Sequence, residues 1–382
     1  MRSFTRSKVS IVLPLLALVA LVGALVASVV VQARVTHAAG SSASGNSYQQ
    51  RNLVSDLPNV AKFQDPNLVN AWGLSHSPSG PWRISDNGTG LSTSYKSNGM
   101  GVPPVITIPP PSITPGATAA PTGNVFNSTS DFVVTEGSRS GPSLFIFATE
   151  DGTISGWNPS VDATHAILAV DNANVTSGPV YKGLALGHNS SGNFLFAANF
   201  RFGTVDVFNA TFAKVSSFTD TQLATDCPLP NQCFAPFGIQ NIGGNLFVTF
   251  ALQNAAKHDD VAGPGNGFVD VFDTNGNLIR RFASQGTLNS PWGLALAPGH
   301  FGTFSGDVLV GNFGDGRINA FDPASGAFLG QLQDPHGNPI TINGLWGLAF
   351  GNGGLAGDTN TLFFASGLND EADGLFGAIS AG

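Results

Sequence analysis

Pro291-Trp292-Gly293-Leu294-Ala295-Leu296, then Asp307-Val308-Leu309-Val310, then Gly316-Arg317-Ile318-Asn319-Ala320-Phe321 decide the fold. The first and third runs pair small and bulky residues in a period of two, the second is wholly apolar, and Gly, Pro, Asp and Asn bound all three. Short runs of this kind predict strands, the middle one buried on both faces. The turn Asp322-Pro323-Ala324-Ser325-Gly326 leads into a fourth strand, Phe328 to Leu332. The unit is a four-stranded antiparallel sheet.

The same unit recurs along the chain. Its leading motif, a long residue, Gly and an aliphatic, stands at Trp72-Gly73-Leu74, Lys182-Gly183-Leu184, Phe237-Gly238-Ile239, Trp292-Gly293-Leu294 and Trp346-Gly347-Leu348, at intervals of 110, 55, 55 and 54. The interval of 110 is two periods, so a degenerate unit is expected near residue 127, with Asp131-Phe132-Val133-Val134 as its first strand. A second register, carried by Gly90 to Tyr95, Gly152 to Trp157, Gly203 to Phe208, Gly267 to Phe272, Gly316 to Phe321 and Gly374 to Ile379, marks the third strands. Six four-stranded repeats arranged radially make an all-β, six-bladed β-propeller. The last repeat stops after its third strand, while Asn52-Leu53-Val54-Ser55 has no partner near it in sequence. The N-terminal strand is therefore expected to complete the sixth blade and close the ring, leaving no raw sheet edges.

Composition agrees with this. The 382 residues include 48 Gly, 24 Pro and 29 Phe, and only 10% are charged, with acids outnumbering bases 24 to 16. Such a chain is short of helix formers. Its net charge of −8 excludes a nucleic-acid partner on electrostatic grounds.

Residues 9 to 31 are uncharged and rich in Leu, Val and Ala, behind Arg2, Arg6 and Lys8. Residues 1–38 read as an export signal, cleaved after Ala33 or Ala38, or as a retained N-terminal membrane anchor, since the apolar run exceeds the usual signal core. Both place the rest of the chain outside the cell, the membrane touching it only through this segment. Residues 39–48 read as a flexible Gly/Ser linker, 49–382 as the propeller, and 109–123, with its clustered prolines, as a stiff linker between the first two blades. In an oxidising compartment Cys227 and Cys233, six residues apart, are expected to form a local disulfide.

The succession of Gly-Leu-Ala, a buried strand ending in Ala-Asn or Gly-Asn, and Gly-x-aliphatic-x-x-Phe, clearest over residues 181–208 and 291–321, resembles NHL-repeat propellers. It is also similar to a group of secreted bacterial proteins built wholly of such blades, and more distantly to calcium-dependent lactonases of the gluconolactonase and regucalcin type. The resemblance covers residues 50–382. It implies that loops entering the first strands and loops joining second to third strands share one face of the channel.

On that face the gluconolactonase resemblance implies a calcium site, for which Glu150, Asn199, Asn312 and Asp370, from four blades, supply oxygen donors. The alternative is that each caps its own turn. His258, Asp259 and Asp260, in the long connection of the fourth blade, offer a general base or metal ligand with carboxylates beside it; the alternative is a solvated loop. Trp72, Trp292 and Trp346 share one repeat position, where they present rings to a ligand or wedge between blades. His76, His188 and His300 fall in turns of the opposite face. No phosphate loop, nucleophile elbow or Cys/His pair appears. These features lead to a monomeric, non-enzymatic module binding a protein or glycan on its loop face, with no certain cofactor; a calcium-dependent hydrolase is the alternative.

Overall fold

The computed structural model describes residues 45–174 and 177–382. Residues 1–38, expected as an export signal or anchor, and most of the expected Gly/Ser linker lie outside the described residues. Six antiparallel blades of four strands each form a β-propeller, the sixth extended at its edge by a short parallel strand, Phe63–Gln64. The first blade contains Ala71–His76, Trp82–Asp86, Leu91–Tyr95 and Ile106–Thr107. The third to fifth follow the same order, beginning with Tyr181–Asn189, Phe234–Ile242 and Pro291–Leu296. In the sixth, Leu345–Phe350, Leu362–Gly367 and Asp373–Ala381 are joined by Tyr48–Ser55, which pairs antiparallel with the last strand from Tyr48↔Ala381 to Ser55↔Leu375. The N-terminal strand thus closes the ring as expected. It begins at Tyr48, a fully buried side chain inside the stretch expected to be linker.

The second blade corrects the sequence reading. Its first strand is Pro121–Phe126, hydrogen-bonded to Phe145–Thr149, so the proline-rich connection ends at 120. Asp131 to Val134, expected as that strand, instead lead into Val133–Glu136, which pairs with Arg139–Pro142 in a small added hairpin. The motif glycine of this blade is Gly123. It was hidden because Thr122 and Asn124 replace the long and aliphatic neighbours.

The glycine in each motif is required by the ring. A Cβ on Gly73 would meet the Thr122 carbonyl at 2.5 Å, one on Gly238 the Trp292 carbonyl at 2.0 Å, and one on Gly347 the Trp72 carbonyl at 2.7 Å. Each first strand leans on the next at a distance only glycine permits. The core lies between blades: Phe196, Ala198, Val205 and Val207 of the third pack on Ile239, Val248, Phe250 and Phe272 of the fourth. Burying each Phe or Val contributes about 1.5–3 kcal/mol.

Candidate functional site

The residue preceding each motif glycine points into the channel. In four blades it is aromatic, and these rings meet one another. Trp72 stacks on Trp346 with centroids 3.5 Å apart, Trp292 stands edge-on to both at 6.2 and 5.8 Å, and Phe237 and Phe313 flank Trp346 at 5.6 and 4.1 Å. Trp72 and Trp346 are 1% exposed and Trp292 9%. They plug the channel. Their three indole N–H groups have no partner among the described residues.

In the third blade the same position is Lys182, whose side chain is 2% exposed. Its ammonium lies 5.0 Å over the Trp72 ring, pairs with Glu150 and reaches Asp259 Oδ1 at 3.3 Å. Burial alone would depress its pKa, but the charges of Glu150 and Asp259 outweigh that and raise it.

A continuous hydrogen-bonded chain runs through this ammonium. Glu371 Oε2 accepts from Asn70 Nδ2 at 2.7 Å, the same amide reaches Asn87 Oδ1 at 3.1 Å, and Asn87 Nδ2 donates to Glu150 Oε2 at 3.0 Å. Beyond Lys182, Asp259 Oδ1 lies 2.8 Å from His258 Nδ1. The chain draws on blades six, one, two, three and four. The sixth blade contributes by a turn in which Asn369, Asp370 and Glu371 have φ of 53°, 54° and 67°, left-handed values that side chains other than glycine rarely adopt. This swings Asp370 outward to solvent and Glu371 inward. Burial pushes the Glu371 carboxyl up to about 7, against the hydrogen bond from Asn70. Asp259 is held well below the usual carboxylate range by its hydrogen bond to His258, and further by the Lys182 charge. Asp260 is turned away and buried, which raises its pKa, with Ser290 opposing.

Of the four donors expected for calcium, Glu150 reaches this cluster. Asn199 is spent within its own blade, donating to Asp206 at 3.0 Å and accepting from the Phe202 N–H. Asn312 donates to Thr287 and to Asp315 of its own turn. With Asp370 exposed and Glu150 bound to an ammonium, these four do not fit a six-to-eight-oxygen calcium shell. Glu150, His258 and Asp259 instead have their ligand atoms within 4.8 Å of one another, around the ammonium. Glu371, Asn70 and Lys182 escaped the sequence reading as site residues; a lone Lys at an otherwise aromatic repeat position was the available signal.

Cys227 and Cys233 are joined by a disulfide in the loop before the fourth blade. At the other end of the channel a shallow funnel is lined by Leu74, His76, Asn124, Leu186, Gln240 and Asn241. There His76 Nε2 lies 3.0 Å from the Phe350 carbonyl.

No family model matches the chain. Uncharacterized protein R648 of Acanthamoeba polyphaga mimivirus is 33% identical over 328 residues, covering 86% of this chain and 78% of that protein. Uncharacterized protein L690 of the same virus is 32% identical over 329 residues, covering 86% and 84%. Among solved structures, soluble aldose sugar dehydrogenase from Escherichia coli aligns with a TM-score of 0.52 at 11% identity, over 88% of this chain and 100% of that one. A catalytically inactive virginiamycin B lyase from Staphylococcus aureus, solved with quinupristin, aligns with a TM-score of 0.51 at 14% identity, over 87% and 98%. At such identities the likeness is one of fold. By sequence, the chain belongs to one family with the mimivirus proteins R648 and L690, and its fold is the six-bladed β-propeller.

Proposed function

We propose that the chain is an exported, NHL-like propeller that binds a protein or glycan ligand, without turning it over, at the mouth centred on Lys182. The observation that carries this is the polar chain from Glu371 to His258. Side chains from five blades, Asn70 at φ 49° and Glu371 at φ 67° among them, converge above a channel sealed by aromatic rings, making a cup with a charged floor. Residues 9–31 and the Cys227–Cys233 disulfide support a place outside the cell.

Acid–base chemistry at the same mouth is the second reading, favoured by the His258–Asp259 contact, which orients one ring nitrogen and leaves the other for a proton. Metal assistance there would require Lys182 to release Glu150.

The test probes glycan and peptide arrays with the full chain and with its Glu150→Gln and His258→Ala variants, each checked for folding by its thermal melt. Hits weakened about tenfold or more in both variants are expected. Hits indifferent to both would remove the mouth as the binding site. Turnover of a lactone or ester panel by the wild type, lost in His258→Ala, would replace the binding reading with the enzymatic one. A melt after chelation with Ca²⁺ added back should show no calcium-specific rise.

A further inference from the structure

Beside the mouth lies a cavity of about 250 Å³ whose walls include Ile113, Glu150, Asp151, Pro179, Arg201 and His258. Its size, at the low end for ligand sites, suits a single small molecule. Two features of its charge stand out.

Arg201 is anchored by one N–H, from Nη1 to the Gly178 carbonyl at 2.8 Å. Among the described residues no carboxylate lies within ion-pair distance of it. A guanidinium has five donors in a planar fork, so an edge matched to a carboxylate remains in the wall of the cavity.

Glu150 and Asp151, neighbours in sequence, form the acidic part of the same wall. Asp151 Oδ2 accepts only the Ala120 N–H at 2.8 Å, and its carboxyl is raised by burial and then by the charge of Glu150. A cation brought into the cavity would favour the ionised form of Asp151. Ile113, half exposed on the proline-rich connection, and Pro179 supply apolar wall.

We propose that this cavity binds a free α-amino acid with an apolar side chain: the carboxylate on Arg201, the ammonium on Asp151, the side chain against Ile113 and Pro179. The proposal rests on the mouth being a binding face and adds to it a pocket for a small zwitterion. A purely anionic ligand would leave Asp151 without a cation, and a purely cationic one would leave Arg201 unmatched.

Calorimetric titration of the full chain with L-leucine, N-acetyl-L-leucine and L-leucinamide tests it. Leucine is expected to bind about tenfold or more tightly than either blocked form. Arg201→Ala should bring leucine down to the level of leucinamide and leave leucinamide unchanged, while Asp151→Asn should weaken both. Leucinamide binding as tightly as leucine to the wild type would overturn the proposal, as would failure of all three at millimolar concentration. If the array ligands still depend on Glu150 and His258 in that event, the mouth remains a binding face and only the amino-acid assignment falls.

Discussion

Two sides of one channel occupy the same repeat position in opposite ways. Toward blades one, four, five and six the position before the motif glycine holds Trp72, Phe237, Trp292 and Trp346, which fill the channel with rings. In blade three it holds Lys182, and the loops above it supply Glu150 and Asp259. The backbone setting is common to both, because the glycine that follows touches the next strand in the same manner. The difference shows that the ring's closure depends on the glycine, while the residue before it is free to be either filler or a charge. Once it is a charge buried at 2% exposure, its neighbours must answer it with carboxylates or leave it unpaired.

That contrast can be broken from either side. The largest effect is expected on the aromatic side. Trp346 touches Trp72, Trp292, Phe237 and Phe313, and Trp346→Ala should cost about 4 kcal/mol of unfolding free energy, by denaturant titration. A loss below about 1 kcal/mol would mean the rings collapse onto the gap and are not a rigid plug.

On the charged side, Lys182→Met should cost about 3 kcal/mol at pH 8, because Glu150 and Asp259 lose their shared cation. Adding Glu150→Gln should restore part of the loss; a double variant as unstable as the sum of its parts would show that the two residues do not act as a pair.

The smallest effect sharpens the comparison through pH. Glu371, raised to about 7 from an ordinary 4.5, holds a proton in the folded chain that the unfolded chain releases. Its contribution to stability is therefore lost as pH rises from about 4.5 to about 7. Glu371→Gln should flatten that part of the stability profile and gain about 2 kcal/mol at pH 8 relative to pH 4. An unchanged profile would mean that another buried acid, such as Asp270, sets the slope.

The blades were legible because glycine at a close contact imposes a period that survives changes on either side of it. Blade two shows the limit. With Thr122 and Asn124 flanking Gly123, one small residue is too common to mark a strand, and the neighbouring Phe132-Val133-Val134 looked stronger. At the mouth, Glu150 is singled out as an oxygen donor on a second-to-third connection, and His258 and Asp259 by loop length and charge; the structure brings these three together. Asp370 was chosen where its neighbour Glu371 turns inward, since three left-handed residues in a row leave no trace in composition. Asn199 and Asn312 end buried strands, where an amide that caps a turn and one that binds an ion look alike in sequence.

The pairing of Tyr48 with Ala381 also fixes the order in which the molecule can be finished. Blades one to five are each built from a continuous stretch and can form as the chain leaves the ribosome. The sixth cannot, because one of its strands is made before blade one and that strand's partner after blade five. Bringing the two together closes a loop that contains the other five blades, the slowest kind of contact to find. Until then the strand beginning at Tyr48 must wait with its hydrogen-bonding edge uncovered, and any chaperone of this fold would have that edge to guard.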